Sequence, residues 1–363
     1  MNLIESLAEK REEELRPFIS NVNDLRAGEK PTLLYYSLIK SIGDLLDPDD
    51  KKILSKDSIK KRDKYYKLIK MVGPLTLKTK QVFENRNNLI DSTDNTPDKG
   101  IDLPSEPVIW VSNHAFKDDT LATILASQRH PYILFGSVPQ FYNTFDGVLS
   151  YLNGVVMTNR KVKESRAVSV SKACTVLQNG GDLLMFPEGV WNKSPNALLI
   201  DLWPGVYRIA KETGAKVVPV AHYLGDLTEK DKNEKIHTVI DEPIDISKMD
   251  EKEALTLIRD TLASWHYLMM ERYGKTTRDE LLKGENPNDV WERLLEERVK
   301  TADRYDKEIE LCADYRPKSI VRSENVFENV ANISNVTPYN VAFVEDAKKL
   351  VKQRKKEDFQ RRF

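Results

Sequence analysis

A histidine that follows an apolar run, with carboxylates four and five residues downstream, can do proton chemistry. The segment Asn113-His114-Ala115-Phe116-Lys117-Asp118-Asp119 has that form, directly behind Val108-Ile109-Trp110-Val111-Ser112. A neutral imidazole accepts a hydroxyl proton near neutral pH, and an adjacent carboxylate fixes its tautomer and stabilises the imidazolium. His114 is therefore the candidate general base. Asp118, Asp119 and Thr120 have a second reading, as the N-cap and first-turn residues of the helix that follows. Both readings can hold together, since a capping acid can also orient a ring. A further carboxylate, Glu188, stands on the turn Phe186-Pro187-Glu188-Gly189, which ends the apolar run Leu183-Leu184-Met185-Phe186. It is expected to accept hydrogen bonds from hydroxyls or to hold Arg and Lys side chains, the alternative being a solvated turn acid. Arg160 closes the strand-like run Gly154-Val155-Val156-Met157-Thr158-Asn159. Its planar guanidinium suits bidentate phosphate contacts, the alternative being a surface arginine.

Other chemistries lack their residues. The chain has no G-x-S-x-G, no Walker loop, no G-x-G-x-x-G and no H-E-x-x-H. His130, His222, His237 and His266 show no ligand-like spacing and read as surface or core histidines, so no metal site is expected. Cys174 and Cys312 lie far apart and form no C-x-x-C. A disulfide scaffold is excluded, a reducing cytosol is the natural compartment, and Cys174 reads as a small buried residue.

These groups need elements to position them. Short apolar runs at 107–112, 132–135, 154–158, 182–186, 217–223 and 235–240 read as strands. They alternate with helical patterns at 119–129, 164–179 and 204–213. The fold class is α/β, a mixed sheet flanked by helices, with helical extensions at both ends. A sheet whose strands stop at a His and at a Glu builds a polar site at its carboxyl edge. Val218-Pro219-Val220 reads as a buried strand, its proline indicating a strand start or an edge. A helix at 250–273 and another near 288–312 follow.

Three regions are expected: 1–90, helical and partly basic; 91–273, the α/β domain; and 274–363, a charged helical extension with a basic tail. Residues 1–72 read as helical, with Leu34, Leu38, Ile42 and Leu45 on one stripe. Residues 51–80 hold eleven Lys/Arg against two acids, a local charge of +9 in a chain of net charge −1. The cations interleave with Tyr65, Tyr66, Leu68, Ile69, Met71 and Val72, which reads either as an interfacial basic helix or as the solvated face of a small helical domain. No signal peptide and no run of about 18 apolar residues is found, so a soluble or peripheral protein is expected.

The order of the motifs carries a family resemblance. Asn-His-x4-Asp at 113–119, the Gly…Arg strand at 154–160, Phe-Pro-Glu-Gly at 186–189 and Val-Pro-Val at 218–220 resemble the four blocks of the glycerolipid acyltransferase superfamily. The likeness is to its bacterial 1-acylglycerol-3-phosphate acyltransferase branch, and Leu202–Ala210 is similar to the family's helix start between the third and fourth blocks. The resemblance covers roughly 105–247. It implies transfer of a fatty acyl group from acyl-CoA or acyl-carrier protein, the co-substrate, to a hydroxyl of a glycerophospholipid precursor, with no cofactor. It gives His114 the role of base, Asp119 that of its orienter, Arg160 the acceptor phosphate, and Glu188 with Gly189 the acceptor pocket. Asn113, Asp118 and Lys193 are auxiliary. The chain departs from the family in Val190-Trp191-Asn192-Lys193-Ser194 after the third block, in Asn159 where an acid usually precedes the arginine, and in the lack of a hydrophobic N-terminal anchor. The implied partners are the thioester donor, a lysophospholipid and an anionic membrane surface, met at the cytoplasmic inner face. Other acceptors (glycerol 3-phosphate or a non-glycerol lipid), a non-catalytic lipid-binding scaffold and a nucleic-acid-binding role for the basic segments are the competing readings.

Overall fold

The computed structural model describes residues 50–77, 79–91, 93–114, 116, 118–136, 150, 153–158, 163–189, 199, 202–225, 235–273 and 352. The helical expectations for 1–49 and 288–312, the stripe at 34–45 and the basic tail lie outside the described residues, apart from the single position 352.

In chain order the described elements are α1 (Lys56–Thr76), β1 (Lys80–Phe83), α2 (Arg86–Ile90), β2 (Ile109–Ser112), α3 (Asp119–Ser127), β3 (Pro131–Gly136) and β4 (Val155–Thr158). They continue with α4 (Lys163–Gln178), β5 (Asp182–Met185), α5 (Gly205–Thr213), β6 (Val217–Leu224), β7 (Lys235–Ile240) and α6 (Glu251–Tyr273). The seven strands form one sheet in the order β1-β7-β6-β2-β5-β3-β4. Every neighbouring pair is parallel except β6 and β7. All six strands expected from the apolar runs are present. β1 was not expected: Lys80-Gln81-Val82-Phe83 is a short, half-polar edge strand beside β7, without the apolar run that marks a central strand. The sheet thus begins inside the region that composition assigned to the N-terminal extension.

Parallel strands covered on both faces must be apolar on both, and β2 is buried at all four positions. Alternation divides its side chains. Ile109 and Val111 join Leu183, Met185, Val217 and Val239 beneath residues of α4, α5 and α6, including Val176, Ile209, Ile258 and Trp265. Trp110 joins Ile133, Leu184, Val218 and Val220 beneath Ile124 of α3 and Tyr66 of α1. With helices on both faces, the open edge of the sheet at the carboxyl ends of β2 and β5 is left for a site.

Pro219 corrects one expectation, since it lies inside β6, between β7 and β2. Its carbonyl accepts from Asp241 N at 2.9 Å, so its nitrogen faces the β7 side. There the ladder is broken between Val220↔Ile240 and the isolated Val217↔Ile244 bridge, and no donor is required.

α1 starts at Ser55, whose hydroxyl accepts from Ser58 N. It turns Ile59, Tyr66 and Gly73 inward. Its other side exposes Tyr65, Leu68, Met71, Val72 and Leu75, the last at 83%. No helix among the described residues is long and apolar enough to cross a membrane.

Candidate active site

The register of β2 against β5 creates the site. Val111 pairs with Met185 on parallel strands. His114 and Glu188 each lie three residues beyond that pair, so both emerge at the same carboxyl edge. Glu188 Oε1 accepts a hydrogen bond from the His114 backbone N–H at 2.8 Å. Glu188 is fully buried, which overturns the reading of it as a solvated turn acid. Its turn is closed by Gly189 N donating to Phe186 O at 2.9 Å and is held from outside by Trp203 N donating to Pro187 O at 2.8 Å. Gly189 has φ +72°, a backbone conformation that favours glycine.

His114 and Asp119 meet as the spacing anticipates. The ring Nδ1 lies 2.7 Å from Asp119 Oδ2. The carboxylate is completely buried and the ring side chain is 22% exposed. Because an ionised carboxylate only accepts, Nδ1 carries the proton and the neutral ring holds its lone pair on Nε2. Asp119 is fixed in turn by Phe116 N at 3.3 Å and the Thr120 hydroxyl at 3.4 Å. The ring stacks on Phe186, with centroids 4.5 Å apart. Phe186 ends an apolar run and opens the Phe-Pro-Glu-Gly turn, and nothing in that spacing points to a ring contact with His114.

Asp118 occupies the N-cap position of α3 but makes no side-chain cap hydrogen bond, so the capping reading does not hold for it. Asn113 is buried and clasps β6: its Nδ2 donates to His222 O at 2.9 Å, and its Oδ1 accepts from His222 N at 2.8 Å. Arg160, two residues past the end of β4, and Lys193 lie outside the described residues.

The other histidines are core residues, with His130, His222, His237 and His266 all buried. Burial lowers the basicity of the His130 imidazole and brings that of His222 down to about 4. Cys174 is buried within the core, and burial raises its thiol pKa, which disfavours the nucleophilic thiolate. The arrangement supplies a polarised imidazole at the sheet edge, backed by a buried carboxylate. Such a group removes a proton from a hydroxyl and later returns it to a leaving group.

Residues 83–223 match the acyltransferase family model. Over 118 residues the chain is 29% identical to a 1-acyl-sn-glycerol-3-phosphate acyltransferase of Chlamydomonas reinhardtii, covering 32% of this chain and 34% of that protein. Over 135 residues it is 25% identical to a 1-acyl-sn-glycerol-3-phosphate acyltransferase of Borreliella burgdorferi, covering 37% and 50% respectively. The matches thus span between a third and a half of those relatives. Among solved structures, the 1-acyl-sn-glycerophosphate acyltransferase of Thermotoga maritima is 19% identical, with 81% of this chain and 98% of that chain covered. The TM-score between the two is 0.33. Over residues 83–223 the chain is therefore similar to the acyltransferase family, and over part of their length to these two 1-acyl-sn-glycerol-3-phosphate acyltransferases.

Proposed function

We propose that the chain is an O-acyltransferase that moves a fatty acyl group from acyl-CoA or acyl-carrier protein to a hydroxyl of 1-acylglycerol-3-phosphate. The observation that carries this reading is the His114–Asp119 pair at 2.7 Å, with its lone pair on Nε2 at the carboxyl edge of the sheet. His114 Nε2 takes the proton of the acceptor hydroxyl as its oxygen attacks the thioester carbonyl. The tetrahedral intermediate collapses, the carbon–sulfur bond breaks, and the imidazolium returns the proton to the departing thiolate. The products are an ester and a free thiol, with no acyl-enzyme. Asp119 holds the proton on Nδ1 and stabilises the transient imidazolium. Glu188 fixes the backbone of His114, and with Gly189 it shapes the acceptor pocket. Arg160 binds the acceptor phosphate, with Lys193 as a second cation, while Asp118 and Asn113 are auxiliary. The chemistry derived from these residues takes no step through a cofactor or a metal.

A lipid acceptor requires contact with a bilayer, and α1 is suited to provide it at the cytoplasmic inner face. Leu68, Met71, Val72 and Leu75 are exposed, on the same helix as Lys60, Lys61, Lys64, Lys67 and Lys70. Each cation close to an anionic surface contributes about 1 kcal/mol.

The test is thiol release from acyl-CoA and from acyl-carrier protein, with lysophosphatidate, glycerol 3-phosphate or no acceptor, and the product identified by mass. Release that depends on lysophosphatidate and yields phosphatidate supports the proposal. Release with glycerol 3-phosphate alone reassigns the acceptor. No release with any pair removes the reaction and leaves a lipid-binding scaffold.

A further inference from the structure

His222 is completely buried behind the candidate site, 99 residues from the helix residue it touches. Its ring lies between two threonines, with Nε2 2.8 Å from Thr123 Oγ1 and Nδ1 2.9 Å from Thr238 Oγ1. Proton bookkeeping along this chain has one complete solution. Thr123 gives its hydroxyl hydrogen to the Asp119 carbonyl at 2.7 Å, so it can only accept from His222. The His222 proton is therefore on Nε2. Nδ1 then accepts from Thr238, whose oxygen accepts from Gln81 Nε2 at 3.0 Å. The same Gln81 amide nitrogen donates to Ala122 O at 3.0 Å, within α3. Each link has one donor and one acceptor, and a cationic ring would point a second N–H at the Thr238 hydrogen.

The same residue is held through its backbone by both amide atoms of Asn113, the neighbour of His114. His222 thus grips the two halves of the dyad from behind: the strand end that presents His114 through Asn113, and the first turn of α3 that presents Asp119 through Thr123. We infer that His222 is a positioning residue for the His114–Asp119 pair, working as a neutral Nε2–H imidazole that sets where the base stands relative to its carboxylate. Asp119 is the ionisable group whose charge acts on it, and its other neighbours from β1, β7 and α3 are the amide and hydroxyls already named, with the Phe116 ring edge-on at 6.1 Å.

The inference rests on the proposed reaction only for its kinetic readout. The chain has five histidines, so a histidine-selective ¹⁵N spectrum of the full-length protein is open to assignment by single substitution. In the wild type, His222 should show the Nε2–H tautomer and no titration between pH 5 and 8. An Nδ1–H tautomer, or titration in that range, overturns the inference whatever the variants do. Thr123→Val should keep the fold but move the His114 Nδ1–H proton resonance upfield, because a displaced Asp119 accepts a weaker hydrogen bond from it. It should lower kcat by about ten- to a hundredfold at unchanged KM, the scale expected of a misplaced base. Thr123→Ser, which keeps the hydroxyl, should restore both. A folded Thr123→Val with the wild-type His114 Nδ1–H resonance and kcat also overturns the inference. If the wild type turns over no thioester, the His222 tautomer and the His114 Nδ1–H resonance still decide this question, while the reaction alone is lost.

Discussion

Acidification from pH 7 to pH 4 is a perturbation that His222 should register as lost stability. Its imidazole is depressed from 6.5 to about 4 by complete burial. A histidine depressed in this way binds no proton in the folded state where the unfolded chain already does. Stability is therefore full above the unfolded value, falls as the pH drops through about 6.5, and levels off below about 4. The span of about 2.5 units at 1.36 kcal/mol per unit gives a loss of roughly 3 kcal/mol from this residue. Buried carboxyls act in the opposite sense. Burial raises the pKa values of Asp182 and Asp241, so the folded state holds protons that the unfolded chain has released, and acidification favours folding at those two sites. Burial likewise lowers the pKa of His130, which adds to the acid loss. The difference between variants isolates the residue of interest. His222→Gln removes the titrating ring while leaving the others, and urea unfolding should be followed at pH 7, 6, 5 and 4. The wild type should lose about 3 kcal/mol more than the variant across that range, with most of the difference appearing below pH 6. Parallel stability curves would refute the argument, since they would mean that the ring is protonated, or hydrated, in the folded protein.

Three further perturbations follow from the geometry. Gly154 has φ +121°, and a Cβ there would stand 2.9 Å from the ring of the fully buried Tyr132, so Gly154→Ala should cost about 2 kcal/mol or more, read as a lowered Tm. Glu188→Ala removes the acceptor for the His114 backbone N–H and should cost about 1–3 kcal/mol by denaturant unfolding, while Glu188→Gln keeps an oxygen there and should lose less. Replacing Leu68, Met71 and Leu75 together by Ser should abolish flotation with anionic vesicles at low salt while changing stability by no more than about 0.5 kcal/mol per site, because all three side chains are already exposed. Unchanged flotation would remove α1 as the membrane contact.

Much of this architecture was legible in the residues because central strands buried on both faces are written as apolar runs. Val108–Ser112, Leu183–Phe186 and Val217–Tyr223 could be read in that way. β1 could not, since an edge strand of Lys-Gln-Val-Phe pairs on one side only and carries little apolar signal. Pro219 misled for a related reason: proline marks strand edges, but here a broken ladder on one side of a central strand removes the need for its N–H. At the site, the spacing left Asp118 and Asp119 both open and the family resemblance chose Asp119, which is the one whose carboxylate stands 2.7 Å from the His114 ring. The burial of Glu188 was hidden, because a Pro-Glu-Gly turn is ordinarily wet and only the register of β5 against β2 closes it beneath His114. His222 was invisible as part of the site, since its partners lie on α3, on β7 and just past the end of β2, and no local spacing connects them.

The central claim is that His114 removes the acceptor's proton. Thiol release from the acyl thioester, measured with and without lysophosphatidate for the wild type and for His114→Ala of equal Tm, tests it most directly. The account predicts acceptor-dependent release in the wild type, reduced by about 10² to 10⁴ in the variant. Equal acceptor-dependent release from both proteins would contradict it.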